Sequence, residues 1–239
     1  MIDDLIAGTR KLSKAMNTMN FSDPVHTVYN PLEYAREPHE YYLRMAASTP
    51  KKILFLGMNP GPFGMMQTGI PFGEIEAVRD WIGIRGSVRK PANEHPKRPI
   101  SGWDCTRSEV SGRRLWGLFR DRFGNPEAFF KDHFVLNYCP LGFLGDTGRN
   151  LTPDKISAAE MKPVYEACDQ FLAHACELLE IDWAIGVGGF AEKRLQDVLK
   201  GSGIQIGKIL HPSPASPAAN RDWAGAVTGQ MTELGLWEV

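Results

Sequence analysis

Three polar side chains, far apart in the chain, each stand where an apolar run gives out. Asn59 lies in Gly57-Met58-Asn59-Pro60-Gly61-Pro62-Phe63-Gly64 after Ile53-Leu54-Phe55-Leu56; Asn137 ends His133-Phe134-Val135-Leu136; His211 opens His211-Pro212-Ser213-Pro214 after a run over 204–210. Runs of that length read as buried parallel strands, and the carboxyl ends of such strands are where open α/β sheets bind ligands. Two amides and an imidazole meeting there can orient a water and donate hydrogen bonds. The Asn59 amide lacks the basicity of a general base, so the chemistry that suits it passes through a dissociative transition state. Phe72, in Gly69-Ile70-Pro71-Phe72-Gly73-Glu74, offers a flat ring for a planar ligand. Each residue also has a plainer use. The 57–64 loop serves equally as a rigid strand-to-helix turn or a phosphate cradle, Asn137 as a turn former, His211 as a structural histidine and Phe72 as core packing. A dinucleotide G-x-G-x-x-G and a Walker lysine are absent from the loop.

The elements that must hold these residues follow from hydrophobic patterning. Strands are predicted at 52–57, 133–138, 183–188 and 204–210. Helices are predicted from Pro31 to about Ala47, at 74–82, 109–123, 154–180 and 191–199, and from Arg221 or Trp223 to Leu234. Strands alternating with helices imply a parallel sheet covered on both faces. The stretch 83–108, rich in Pro, Gly and basic residues, is the least regular.

Length and composition bound the rest. The chain has 239 residues, 43% of them hydrophobic, which is enough for a substantial core in one large domain, taken as 1–239. No apolar stretch is long enough to span a bilayer and the amino terminus lacks a secretion signal, so no membrane partner is expected and the cytoplasm or nucleoid is the expected location. The four cysteines show no C-x-x-C pair, which argues for reduced thiols and no metal or cluster. Net charge is only −1, yet between Arg85 and Arg122 ten Lys/Arg face four Asp/Glu. A local basic face within an otherwise acidic surface is one reading of that imbalance, a plain solvated surface the other.

Taken together these segments resemble the single-strand-selective monofunctional uracil-DNA glycosylases of the uracil-DNA glycosylase superfamily. The 57–65 and 67–74 segments look like the family's first motif, Asn137-Tyr138-Cys139-Pro140-Leu141 its uracil-reading segment and His211-Pro212-Ser213-Pro214 its second motif. Asn30-Pro31-Leu32-Glu33-Tyr34, His95-Pro96-Lys97-Arg98-Pro99, Ser108-Glu109-Val110-Ser111-Gly112 and Gly148-Arg149-Asn150-Leu151-Thr152-Pro153 are similar too, so the resemblance covers roughly 28–236.

The resemblance implies a three-layer α/β/α sandwich around a four-stranded parallel sheet. It implies hydrolysis of the bond between uracil and deoxyribose in DNA, single- or double-stranded, by a monomer without cofactor or lyase lysine. Asn59 would position the water, His211 would donate to uracil O2, Asn137 would read the O4 and N3–H edge, and Phe72 would stack on the base. Met58 and Gly61 would form the floor, where a glycine leaves room for 5-substituted uracils. Lys97, Arg98, Ser111, Arg113, Arg114 and Ser213 would hold phosphates. Pro214, Ala215 and Ser216 stand where the family carries a wedging arginine, and the small residues of 214–219 would press into the duplex instead. A nuclear location follows if the source is eukaryotic. Two other readings share the scaffold: a non-catalytic lesion- or nucleotide-binding module, and a glycosylase shifted towards hypoxanthine or xanthine.

Overall fold

The four apolar runs hydrogen-bond into one sheet. In the computed structural model, which describes residues 1–238, the strands in chain order are β1 (Thr27–Tyr29), β2 (Ile53–Gly57), β3 (His133–Asn137), β4 (Gly142–Leu144), β5 (Asn150–Leu151), β6 (Trp183–Val187) and β7 (Gln205–Ile209). Val239, the last residue of the expected 1–239 domain, lies outside the described residues. Strands β3-β2-β6-β7 form the all-parallel sheet in that order. Ile53 pairs with both His133 and Trp183, and Gly57 pairs with Asn137. Every residue of β2 and β3 is buried, as a sheet covered on both faces requires.

The helices are α1 (Ile2–Met16), α2 (Pro31–Tyr34), α3 (Arg36–Ala46), α4 (Met65–Thr68), α5 (Val110–Phe123), α6 (Pro126–Asp132), α7 (Ala158–Leu178), α8 (Gly189–Val198) and α9 (Pro217–Glu233). One group, α1 with α7 and α7 with α8, is joined to the sheet by α8 on β6 and β7; another, α5 with α6 and α9, is joined by α6 on β3 and α9 on β7. Between the second group and the sheet, Phe119 stacks on Phe129 with ring centroids 4.3 Å apart, and Phe55 of β2 lies 5.0 Å from Phe119. Connections leave β2 towards β3 and β6 towards β7, in opposite directions across the sheet. This divergence opens a crevice at their carboxyl ends.

Several expectations change in detail. The helix expected over 31–47 breaks at Ala35 (φ −108°, ψ 32°), where α3 begins and the turn at Gly69 packs closely. His39, buried on α3, bonds through Nδ1 to the Gly69 carbonyl at 2.7 Å, so the break lets α3 hold the 69–73 turn. The helix expected at 74–82 is a π-helical turn over Ala77–Ile82. The long helix expected from 154 starts at Ala158, because the Ser157 hydroxyl accepts from Glu160 N–H while Pro153–Lys155 forms a separate 3-10 turn. Helix α9 starts earlier than expected, at Pro217, but kinks at Asp222 (φ −159°, ψ 84°), whose Oδ1 accepts from Gly225 N–H. That kink is the helix start read from the sequence at 221–223. Helix α1 and the antiparallel sheet β1-β4-β5 were not expected, although Leu5, Ile6, Leu12 and Met16 give α1 a clear apolar stripe.

Candidate active site

Gly57 ends β2 directly beside Asn137, and there is no room for a side chain. A Cβ would overlap Asn137 Oδ1 and the Phe72 ring, so the glycine permits amide and ring to close over the strand end. Phe72 itself has φ 52°, a left-handed conformation that costs a non-glycine residue strain. It is pinned there by Glu74 N–H donating to its carbonyl at 2.7 Å and by α5, whose Gly112 has no space for a Cβ against that same carbonyl. Asn137 is 7% exposed; its Nδ2 donates only to Met65 Sδ at 3.2 Å and its Oδ1 has no partner.

His211 is fixed by its own loop. Ser213 N–H donates to Nδ1 at 3.1 Å, which places the neutral ring's proton on Nε2. Burial lowers the pKa below the ordinary histidine value, so the imidazole is a neutral donor. Behind it, Trp223 Nε1 donates to Leu210 O at 2.7 Å and Gln230 accepts from Leu210 N–H at 2.8 Å. Gly188, at φ 91°, leaves room for the imidazole. The Phe72 and His211 rings face each other at 6.5 Å and 47°. Asn59 Nδ2 reaches Leu141 O at 3.5 Å, which leaves Oδ1 as an open acceptor.

These groups border one cavity of about 430 Å³. Of the residues singled out in the sequence, Met58, Asn59, Gly61, Phe72, Asn137, His211, Ser111, Ser213 and Pro214 line it. Larger hollows exist, such as one of about 540 Å³ between α1 and α7, but none of these strand-end groups lines that one. Lys97, Arg98, Arg113, Arg114, Ala215 and Ser216 do not line the cavity. Lys97 and Arg113 are exposed, with Arg113 Nη1 on Ser108 Oγ at 3.1 Å; Ala215 N–H bonds Ser213 Oγ, and Ser216 caps α9. Arg114 works inward, donating to Pro212 O at 3.0 Å and Asn220 Oδ1 at 2.9 Å. Its geometry is that of a clamp on the His211 loop, not of an outward phosphate hook.

Arg107, Glu109, Asn150 and Thr152 also line the cavity and were given no role from the sequence. Glu109 corrects one expectation. The space beside Gly61 is not open, because the Glu109 carboxyl fills the place of a Gly61 Cβ and packs on Gly64 as well. Burial raises its pKa to about 7, against the opposing pull of the Phe63 and Gly64 N–H groups. Four buried side-chain oxygens lack a partner among the described residues, and three of them, on Asn137, Glu109 and Asn150, belong to cavity-lining residues. Unpaired buried acceptors cost stability, so their clustering marks a place built for a ligand with donors. Among the described residues, no three His, Cys, Asp or Glu side chains gather as a metal site, and no helix is long and apolar enough to cross a membrane.

Comparison with known proteins agrees in extent with this geometry. The family model described as the uracil DNA glycosylase superfamily matches residues 46–227. Single-strand selective monofunctional uracil-DNA glycosylase from Rattus norvegicus is 48% identical over 228 residues, covering 95% of this chain and 82% of that one. The proteins of that name from Mus musculus and Bos taurus are each 47% identical over the same length. Among solved structures, Pedobacter heparinus SMUG2 superposes with a TM-score of 0.66 over 95% of this chain and 97% of its own, at 20% identity, a likeness of fold.

Proposed function

The chain belongs to the single-strand selective monofunctional uracil-DNA glycosylase family, and from that premise we propose how its strand-end cavity removes uracil. The protein is a DNA repair hydrolase that cleaves the bond between uracil and deoxyribose and carries no lyase step. A base inside a stacked duplex is out of reach, so the nucleotide rotates into the cavity, at a cost of a few kcal/mol.

Asn59 Oδ1 accepts from the attacking water and aims it at C1′. As the C1′–N1 bond breaks and the C1′–O bond forms, negative charge collects on the departing base while His211 Nε2–H donates to O2, and the proton lost by the water ends on the departing uracil anion. A preorganised donor of this kind contributes roughly 3 kcal/mol of transition-state stabilisation. A neutral imidazole suits the task, because it donates while leaving the Ser213 bond at Nδ1 intact. Asn137 Oδ1 accepts from N3–H and Nδ2 turns from Met65 Sδ to O4, while Phe72 stacks on the ring above the Met58 and Gly61 floor. Cytosine would place a lone pair against Oδ1 and an amino group against Nδ2, and such mispairing of buried groups discriminates by as much as about 10⁴. Beside C5, a substituent that donates a hydrogen bond would meet the Glu109 carboxyl and a methyl group would not be satisfied there. This favours 5-hydroxymethyluracil over thymine among 5-substituted uracils.

Lys97, Arg98 and Arg113 hold phosphates, Ser111 and Ser213 reach the backbone near the cavity, and the Pro214-Ala215-Ser216 loop presses on the duplex. Chain 1–239 acts as one domain and as a monomer, on single and double strands, where the DNA is: the nucleoid or nucleus. The observation that carries this reading is the meeting of Asn59, Asn137, Phe72 and His211 on one cavity. A single-stranded oligonucleotide with one uracil tests it. Wild type should release free uracil and leave a site cleaved only after alkali, and Asn59→Ala should do so about 10²–10³-fold more slowly; strands intact after alkali with wild type would overturn the proposal.

A further inference from the structure

At the cavity mouth two guanidinium groups share one ring. Arg107 Cζ lies 3.9 Å from the centroid of Phe63 and Arg98 Cζ lies 5.5 Å from it. Three separate segments are needed for this: Phe63 belongs to the loop after β2, Arg98 to the stretch before Ile100, and Arg107 to the approach to α5. Phe63 and Arg107 both line the cavity, and Arg107 is exposed. Arg10 is tied to Glu40 and Arg44 to Asp3, whereas neither Arg98 nor Arg107 has an acidic partner among the described residues, so both charges stay available to an anion. A guanidinium laid on a ring presents a second flat face outward, with N–H donors around its edge. That is the chemistry of a seat for an unpaired base, which stacks on the plane while its phosphate takes the edge.

We propose that Phe63 and Arg107, supported by the charge of Arg98, form a stacking seat for the nucleobase next to the extruded nucleotide on the same strand. The seat needs that neighbour to be unpaired. In a duplex the neighbouring base stays stacked on its own helix, so the seat fills only on single strands and adds to their binding alone. The inference rests on the glycosylase reading for what lies in the cavity, but it is read by binding and not by turnover.

The test uses a uracil-free single strand and the matching duplex, followed by fluorescence anisotropy across a salt series, with 2-aminopurine in the strand reporting stacking. Arg107→Ala should weaken single-strand binding about tenfold, the size of one lost base stack, and leave the duplex within twofold. Arg107→Lys should restore the salt slope but neither the affinity nor the 2-aminopurine signal, because an ammonium is a point charge without a stacking face. Phe63→Leu, which keeps apolar volume, should behave like Arg107→Lys. Full rescue by lysine would make Arg107 a phosphate contact and overturn the seat, as would equal losses on both DNA forms. Uracil release by wild type alongside unchanged binding in all variants would sink the seat and leave the glycosylase reading standing.

Discussion

The two ends of the parallel sheet bury polar groups to similar depth and treat them in opposite ways. At the amino end Lys51 is 2% exposed, yet its Nζ donates to Phe130 O at 2.5 Å and Thr49 Oγ1 at 2.9 Å. At the carboxyl end Asn137 is 7% exposed, and its Oδ1, like Glu109 Oε2 and Asn150 Oδ1 nearby, has no partner. Leaving a buried donor or acceptor unmade costs about 1–3 kcal/mol. The amino end therefore stabilises the fold, and the carboxyl end gives up stability so that a ligand can complete it. His133 Nε2 is the exception at the amino end: unpartnered, with burial lowering its pKa to about 4, it stays neutral.

The contrast breaks most visibly if carboxyl-end deletions prove structural. Asn59→Ala and His211→Ala should each lower single-turnover cleavage of a uracil oligonucleotide by about 10²–10³-fold. Melting temperature should stay close to wild type and DNA affinity should change only a few-fold. A loss of affinity matching the loss of rate would show that these groups bind the strand and do not act in the transition state.

Gly57→Ala should come next in size. Its methyl group would have to displace both Asn137 and Phe72, so it should mimic Asn137→Ala, with the rate on uracil down and the preference over cytosine eroded, although alanine touches no base. Full selectivity in Gly57→Ala would mean that the strand end yields and the close approach is not needed.

How far the sequence reached divides along the same line. The placing of Asn59, Asn137 and His211 at strand ends was legible because β2, β3 and β6 are short apolar runs whose ends are breaks in the run; β7, expected to be buried, is instead an edge strand that exposes Gln205 and Lys208 and buries only Gly207 and Ile209. Arg107 and Glu109 were not legible, because their roles depend on what packs against them. Nothing local to Glu109 says that its carboxyl will take the place of a Gly61 side chain, and Arg107 reads as one more cation until Phe63 is folded beneath it. Arg114 illustrates the reverse error, since a positive charge near a motif suggests a phosphate hook while its geometry clamps Pro212 and Asn220. The β1-β4-β5 sheet escaped for a simpler reason: strands of two or three residues carry too few positions for a period to show.

Stability against pH sharpens the comparison, because groups at the two regions carry opposite signs. Glu109 has a folded pKa of about 7 against an ordinary 4.5, so the folded state holds the proton more tightly; the stability it confers is full below 4.5 and is lost as pH rises to about 7. At the amino end buried His133, lowered to about 4 from 6.5, loses stability in the other direction, as pH falls from 6.5 towards 4, and His39 beneath the 69–73 turn adds to that same acid-side loss. Glu109→Gln should remove only the first slope. Denaturant unfolding from pH 4 to 8 should show the variant gaining up to about 3 kcal/mol over wild type at pH 8 and little at pH 4. An equal gain at both ends would mean that ionisation of Glu109 is not what the fold resists.

The smallest effect is expected from the amino end, where Lys51→Met retains most of the apolar stem and removes the charge. Two forces compete. Methionine avoids burying an ammonium, whose pKa is already lowered by burial, but it leaves the Phe130 carbonyl without its donor. Loss of the donor should win, because Lys51 Nζ has two partners in place and Phe130 is only 4% exposed. The expected cost is about 1–2 kcal/mol in urea unfolding, with uracil release per folded molecule unchanged. A variant that unfolded no more easily but cleaved more slowly would erase the distinction between the two ends, since it would tie the satisfied end of the sheet to catalysis.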